Sequence, residues 1–341
     1  MNHKKILIIQ TAFIGDAILT SPMIRELRRL FPDAQIDLIA NPGTVGIFEV
    51  NPHINHVYAF LKKPFYNKIV QFFRLLFLIW REKYDCAISA QSYMTSANLM
   101  YFGRIPRRVG FKRQKLLTDP IDHGGLMHRS EYYLSLLQAF SDEKFDRQTE
   151  MYWSKQDGKN AAKLIEKTEK SSFLLGIAPG SVWFTKRWLK EHFVTLISQL
   201  GMESITVFLI GGPQEKKLCD EIERDAGNNN VINIAGQLSL NASAALIDKL
   251  DLMLVNDSAP LHIANAVQTD AIAIFGPTVQ RFGFYPIGKN DTLMELDLEC
   301  RPCKRHGGNS CPLKHFKCMR DIIPEMVLEV IRGYLKRKVM T

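Results

Sequence analysis

The chain has 341 residues, 46% of them hydrophobic and 23% charged, the composition of globular domains, and at roughly 150 residues per domain it suggests about two. That excludes intrinsic disorder, collagen-like repeats and a small disulfide scaffold, and the apolar run at 75–80 falls far short of the ~20 residues a membrane-spanning helix needs. Forty-four Lys and Arg against 35 Asp and Glu leave a formal charge of +9, which favours anionic partners: nucleic acid, a phosphate-bearing substrate or an anionic membrane surface.

The N-terminus, MNHKKILIIQTAFIG, begins basic, but only residues 6–9 are apolar before Gln10. It reads as a poor signal peptide and a good first strand, so the protein is expected in the cytoplasm. Lys5–Gln10 is a continuous apolar run of the kind buried on both faces of a parallel sheet. A helical pattern follows over 16–31 and stops at Pro32. Gln35–Ala40 is the next strand, Asn41-Pro42-Gly43 a turn, and 57–60 and 84–90 are further candidate strands. Between the last two, 64–83 is rich in Phe, Leu and Ile and carries Lys68, Arg74, Arg81 and Lys83. This fits a crossover helix packed on the sheet, with an interfacial membrane helix as the alternative.

The stretch 101–130 is basic: Arg104, Arg107, Arg108, Lys112, Arg113, Lys115 and Arg129 stand against only Asp119 and Asp122. It reads as a solvated basic face or an anion-binding one. Composition turns polar over 141–172, the best place for a domain boundary, with a helix expected over 158–170. Alternation then restarts. Strands are expected at Phe173–Ala178, 205–211, 231–235, Leu252–Asn256 and Ala271–Phe275. Helices are expected at Lys190–Leu200, 214–225, 242–250 and 324–338. Strand–helix alternation on this scale predicts two doubly wound α/β halves facing each other.

In such sheets ligands bind beyond the carboxyl ends of the strands, so the strand-to-helix loops carry the candidates. The first is Thr11-Ala12-Phe13-Ile14-Gly15-Asp16. It lacks GxGxxG, which disfavours a dinucleotide oxidoreductase. Asp16 at a helix start reads either as an N-cap or as a carboxylate available as a general base. The second is Ala178-Pro179-Gly180-Ser181 with Thr185-Lys186-Arg187-Trp188, where amides, a hydroxyl and cations suit a phosphate. The third is Gly211-Gly212-Pro213 with Glu215, a candidate ribose contact. The fourth is Asn256-Asp257-Ser258-Ala259-Pro260-Leu261-His262, where Asp257 and Ser258 are expected to cap a helix aimed at an anion.

Together these residues resemble the ADP-heptose:lipopolysaccharide heptosyltransferases, inverting glycosyltransferases of GT-B fold. The resemblance covers nearly the whole chain and is strongest to the heptosyltransferase II branch. It rests on Gly15-Asp16 with Pro22, Pro179-Gly180 with Lys186-Arg187-Trp188, Ala235-Gly236, and Asn256-Asp257-Ser258 with His262. Arg108-Val109-Gly110-Phe111 is similar to the family's acceptor-side loop. The family commonly has Gly where this chain has Ala259-Pro260.

The resemblance implies three segments. Residues 1–155 would be an acceptor-binding Rossmann-like domain and 156–322 a nucleotide-sugar-binding one. A C-terminal helix over 323–341 would pack back on the first. Asp16 is implied as catalytic base, and Lys186 as the cation on the donor diphosphate. Ser181, Thr185, Glu215, Asp257, Ser258, Ala259 and His262 are implied around the donor. Gly15, Arg107, Arg108, Lys112 and Arg113 are implied around a phosphorylated, lipid-linked oligosaccharide acceptor. Peripheral contact with the inner face of the cytoplasmic membrane would follow from such an acceptor. No DxD pair compels a metal, and no cofactor is expected for catalysis. Nucleic acid is disfavoured because no aromatic–basic stacking motif is present. A related transferase with another sugar or acceptor, or a non-catalytic nucleotide-binding protein, is the alternative.

Six cysteines remain. Cys86 and Cys219 read as buried small hydrophobes. Cys300-x2-Cys303-x7-Cys311-x6-Cys318, with His306 and His315 nearby, is a candidate structural zinc site or else a loop of free thiols.

Overall fold

The computed structural model describes residues 3–61, 65–166, 168, 173–201 and 203–340. The chain divides into two compact units, Met1–Tyr152 and Trp153–Thr341. The first runs β1 (Lys5–Gln10), α1 (Ile14–Leu19), α2 (Ser21–Leu30), β2 (Gln35–Ala40), α3 (Val45–Glu49), β3 (His56–Ala59), α4 (Phe65–Glu82), β4 (Cys86–Ser89), α5 (Met94–Phe102), β5 (Arg107–Phe111), β6 (Asp119–Ile121) and α6 (Arg129–Leu134). Its six strands lie in the order β3-β2-β1-β4-β5-β6, each pair parallel.

The second unit runs α7 (Lys155–Ile165), β7 (Phe173–Ala178), α8 (Lys190–Leu200), β8 (Ile205–Leu209), α9 (Lys216–Ala226), β9 (Val231–Asn233), α10 (Leu240–Ile247), β10 (Leu252–Asn256), α11 (Ala259–Ala266), β11 (Ala271–Phe275), β12 (Thr292–Glu295), α12 (Lys317–Arg320) and α13 (Pro324–Met340). Its sheet, β12-β11-β10-β7-β8-β9, is again parallel throughout. Each unit is therefore a doubly wound α/β sheet.

The continuous apolar strands are buried on both faces. In β1, Ile6, Leu7 and Ile8 have no exposed surface, and Leu7 and Ile9 join Ile39, Phe60, Leu75, Ile79 and Leu99 in one core cluster. The second core gathers strand residues such as Leu175, Val207 and Leu254 with Trp188 and Phe193. The terminal helix α13 contributes Val327, Ile331 and Tyr334 to that same core, and Arg332 and Lys338 pair with Glu203 and Asp251 of the second unit.

Several boundaries differ from the sequence pattern for physical reasons. The single helix expected over 16–31 is two, α1 and α2, because Pro22 at the start of α2 has no N–H to continue the first ladder. The segment 108–111, expected as a loop, is strand β5. The helix expected over 158–170 ends at Ile165, and residues 167, 169 and 170 of that expectation lie outside the described residues, as does Pro64 of the expected helix over 64–83.

Candidate functional site

In a doubly wound sheet the loops diverge where the strand order reverses, and a crevice opens at the carboxyl edge there. In the first unit that point lies between β1 and β4, and the loop leaving β1 carries Gly15 and Asp16 on the first turns of α1. Buried Gln10 organises this loop. Its side-chain amide donates to Thr20 Oγ1, and its Oε1 accepts the Ala12 N–H at 3.2 Å. Thr20 Oγ1 in turn donates to the Asp16 carbonyl at 2.7 Å. The Asp16 backbone is thus tied to the strand end, while its carboxylate stays part-exposed.

That carboxylate has one specific partner. Tyr133, on α6 and without exposed surface, donates its hydroxyl to Asp16 Oδ1 at 2.7 Å. Burial, then the Asp16 charge, raises the Tyr133 phenol well above its ordinary value, so it remains a protonated donor. Arg129, one turn earlier on α6, lies 3.8 Å over the Tyr132 ring and 3.5 Å from the Tyr133 hydroxyl. Burial opposes its charge, but Tyr133 and Asp16 outweigh burial and hold the guanidinium above its usual value. A capping box at His128 and Glu131 starts the helix that presents both residues. Neither Tyr133 nor Arg129 was singled out as a site residue from the sequence. Tyr133 stands 117 positions from Asp16, so no local spacing could have paired them.

The basic segment separates by sheet edge. Arg107 opens β5 in register with Cys86 and hence with Ile6, at the amino edge, opposite Asp16. It is 2.9 Å from Asp119, contacts His3 and donates to the Ala139 carbonyl. Arg108 donates to the carbonyls of Ile105 at 2.7 Å and Leu116 at 2.8 Å. Both guanidinium groups are engaged in holding the fold. Lys112 and Arg113 instead follow the carboxyl end of β5 and are exposed, with Lys112 only 3.4 Å from Asp122 in a solvated pair.

In the second unit the reversal falls between β7 and β10, and the second and fourth candidate loops leave those two strands. Asn256, fully buried at the end of β10, joins them. Its side-chain amide donates to the Pro179 carbonyl at 2.9 Å, and its Oδ1 accepts the Trp188 N–H at 3.0 Å. Lys186 Nζ then meets Asp257 Oδ2 at 2.6 Å, with 13% and 6% of the two side chains exposed. Thr278, which the sequence reading missed, donates to the same Asp257 oxygen at 2.6 Å.

The expectation that Asp257 caps α11 is not met, because Lys186 and Thr278 hold its carboxylate instead. Ser258 occupies the N-cap position but makes no side-chain cap bond; its hydroxyl donates to the Asn256 carbonyl at 3.3 Å. Ala259 begins the helix and Pro260 sits within its first turn, where a missing N–H costs nothing. His262 is buried on α11, its ring 6.0 Å from Phe284.

Ser181 and Thr185 are also buried. The Ser181 carbonyl accepts from Arg187 Nε at 2.8 Å, and Thr185 Oγ1 accepts the Gly308 N–H at 2.8 Å. Glu215 packs against the Gly180 and Gly211 backbones. A Cβ on Gly180 would stand 2.3 Å from Glu215 Cγ, so glycine is required for that approach. Glu215 Oε2 accepts the Gly212 N–H at 2.9 Å.

Among the described residues no group of three or more His, Cys, Asp or Glu side chains is placed to hold a metal ion, and the proposed zinc on Cys300, Cys303, Cys311 and Cys318 is unsupported. Cys303 donates to the Cys300 carbonyl at 3.2 Å, and Cys300 Sγ lies 4.0 Å from His315 Nε2. Burial pushes the Cys318 thiol up to about 11.

A family model, glycosyltransferase family 9 (heptosyltransferase), matches residues 73–314. The lipooligosaccharide heptosyltransferase 2 of Campylobacter jejuni subsp. jejuni is 27% identical over 97% of this chain and 98% of its own length. The lipopolysaccharide heptosyltransferase 3 of Escherichia coli is 29% identical over 78% of this chain and 82% of its own. Among solved structures, a family 9 glycosyl transferase from Veillonella parvula is similar with a TM-score of 0.85 at 20% identity, covering 98% of each chain. ADP-heptose LPS heptosyltransferase II of Escherichia coli is similar with a TM-score of 0.79 at 22% identity, covering 98% of this chain and 99% of that one. These structural likenesses establish the fold, GT-B, of which each doubly wound unit is one half.

Proposed function

The chain belongs to glycosyltransferase family 9 (heptosyltransferase), and from that premise we propose that it moves heptose from ADP-heptose to the inner core of lipopolysaccharide, with inversion, using Asp16 as general base. The names of its relatives support the sugar and the acceptor. The observation that carries the base assignment is the Tyr133 hydroxyl on Asp16 at 2.7 Å. A buried donor fixes one carboxylate oxygen and leaves the other for a substrate proton.

The chemistry follows. A sugar hydroxyl is a weak nucleophile. Its oxygen forms a bond to the anomeric carbon while its proton passes to Asp16. The bond from that carbon to the diphosphate oxygen breaks, and ADP departs with the electron pair. Charge grows on the departing phosphate, where Lys186 is assigned to meet it. Lys186 has three N–H donors, so it can keep Asp257 and still serve a phosphate oxygen. Asp257 and Thr278 position it. Ser181, Thr185, Ser258 and Ala259 would frame the diphosphate beside it, His262 would back that loop, and Glu215 would take a ribose hydroxyl.

The first unit would take the acceptor. Lys112 and Arg113, on the same sheet edge as Asp16 and Gly15, are the side chains assigned to its phosphates; Arg107 and Arg108 are placed to support that segment. No step is routed through a metal. A lipid-borne acceptor places the work at the inner face of the cytoplasmic membrane. No helix among the described residues is long and apolar enough to cross it.

Thermal melting with a panel of nucleotide sugars tests the donor. ADP-heptose and ADP should stabilise the protein by about 2.7 kcal/mol at a hundredfold excess over Kd. Stabilisation by UDP- or GDP-sugars alone would favour a related transferase, and none at all would remove the donor assignment.

A further inference from the structure

Helix α4 packs Leu75, Leu76 and Ile79 into the first unit's core, as a crossover helix must. Its opposite side is not polar. Ile69, Val70, Phe73, Phe77 and Trp80 are 46%, 62%, 62%, 66% and 48% exposed. At 3.6 residues per turn these five fall within an arc of about 100°, a second apolar stripe that the fold leaves in solvent. Trp80 Nε1 donates to the Phe102 carbonyl at 2.9 Å. That bond joins the stripe to the end of α5, where Tyr101 and Phe102 are 47% and 52% exposed.

The surroundings are predominantly cationic. Residues 60–81 hold five Lys and Arg and no Asp or Glu. Arg74, Arg81, Lys83 and Arg104 are exposed on the described surface, although Arg81 also pairs with Glu82 at 3.0 Å. Beside Trp80 an open groove is lined by Lys83 and Arg104; Asp85 is also on its wall, where its carboxylate accepts the backbone N–H groups of Lys4 and Lys5. Aromatic and aliphatic side chains rimmed by cations match the interfacial layer of a bilayer, where rings sit at headgroup level and cations meet lipid phosphates. A second copy of this chain would bring the same cations against each other.

We propose that the outer side of α4 and the end of α5 dock the enzyme onto an anionic phospholipid surface. The docking has its purpose in the lipid-borne acceptor of the proposed function, on which it rests, but it needs neither donor nor acceptor to be observed. Failure to bind lipid and failure to transfer sugar are therefore separate results.

The test is flotation of the full chain with vesicles of phosphatidylcholine alone or with one third phosphatidylglycerol. The protein should float with the anionic vesicles, be released by salt, and stay behind with phosphatidylcholine alone. Phe73→Ser with Phe77→Ser should lower partitioning about tenfold, since two buried rings are lost. Lys83→Glu with Arg104→Glu should do the same, while Lys112→Glu with Arg113→Glu should leave it unchanged. A melting temperature and near-UV circular dichroism spectrum equal to those of the parent, measured without ligand, show that each variant is folded. Equal flotation of the Phe73→Ser/Phe77→Ser protein, or no flotation of the parent, overturns the proposal. So does a parent dimer that this double variant converts to monomer without lipid, which would make a second copy the occupant.

Discussion

Replacing Lys186 by Met removes one ammonium from a pair that is 2.6 Å apart, with 13% and 6% of its side chains exposed. Removing one partner of a buried pair costs about 3–5 kcal/mol, because a charge is left without compensation. Asp257 keeps the Thr278 hydroxyl, which puts the expected loss at the lower end, about 3 kcal/mol. At about 2–4 °C per kcal/mol for a domain of this size, the transition of the second unit should fall by about 6–12 °C. The companion Asp257→Leu should cost a similar amount by stranding Lys186. The double variant, in which no charge remains, should recover to within about 1 kcal/mol of the parent, since apolar replacement of a buried pair is often neutral. Melting followed by near-UV circular dichroism measures all four proteins. Two independent losses that simply add in the double variant would refute the pairing, and so would a single variant that melts with the parent.

The remaining expectations concern both units. Tyr133→Phe removes a hydrogen bond to a charged group worth about 1.5–3 kcal/mol; water can partly replace it at part-exposed Asp16, so kcat/KM should fall about tenfold with KM for the donor unchanged, and an unaltered kcat/KM would deny Tyr133 its positioning role. Gly180→Ala forces Glu215 off the backbone it packs on; overpacking of this kind costs about 1–3 kcal/mol, and calorimetry should show weaker ADP binding, whereas parental affinity would remove Glu215 from the nucleotide site. Glu150 lies 3.2 Å from Arg25 and 3.3 Å from His53; burial raises its carboxyl, but these two partners outweigh burial and hold it below its ordinary value. A folded-state value below the unfolded one gives stability that is present above about pH 4.3 and lost as pH falls through the folded value. Glu150→Gln should therefore lower the urea midpoint near neutrality and flatten its acid limb, and an unchanged acid limb would contradict the assignment.

The parts legible from sequence are those whose physics is local. Lys5–Gln10 and Ala271–Phe275 are strands whose apolar runs announce burial on both faces. β5 was not legible because Arg107 and Arg108 break the apolar run, and only the fold shows that Asp119 and the carbonyls of Ile105 and Leu116 neutralise or satisfy them. β12, Thr292–Glu295, is a part-buried edge strand with a weak apolar signal. The same division holds at the site. Asp16, Lys186 and Asp257 stand in strand-to-helix loops, where topology directs attention. Their partners Tyr133 and Thr278 are 117 and 21 residues away from the groups they hold, and such pairings are made by the fold. The cysteines show the converse: close spacing in sequence did not bring a ligand set together among the described residues.

Asp16→Asn keeps the size of the side chain and an oxygen for the Tyr133 hydroxyl, but cannot accept the acceptor's proton. Transfer of heptose from ADP-heptose to a lipopolysaccharide core acceptor by this variant should fall by about 10²–10⁴-fold, while calorimetric ADP-heptose affinity stays at the parental value. Transfer within a fewfold of the parent would contradict Asp16 as the base and, with it, the assigned mechanism.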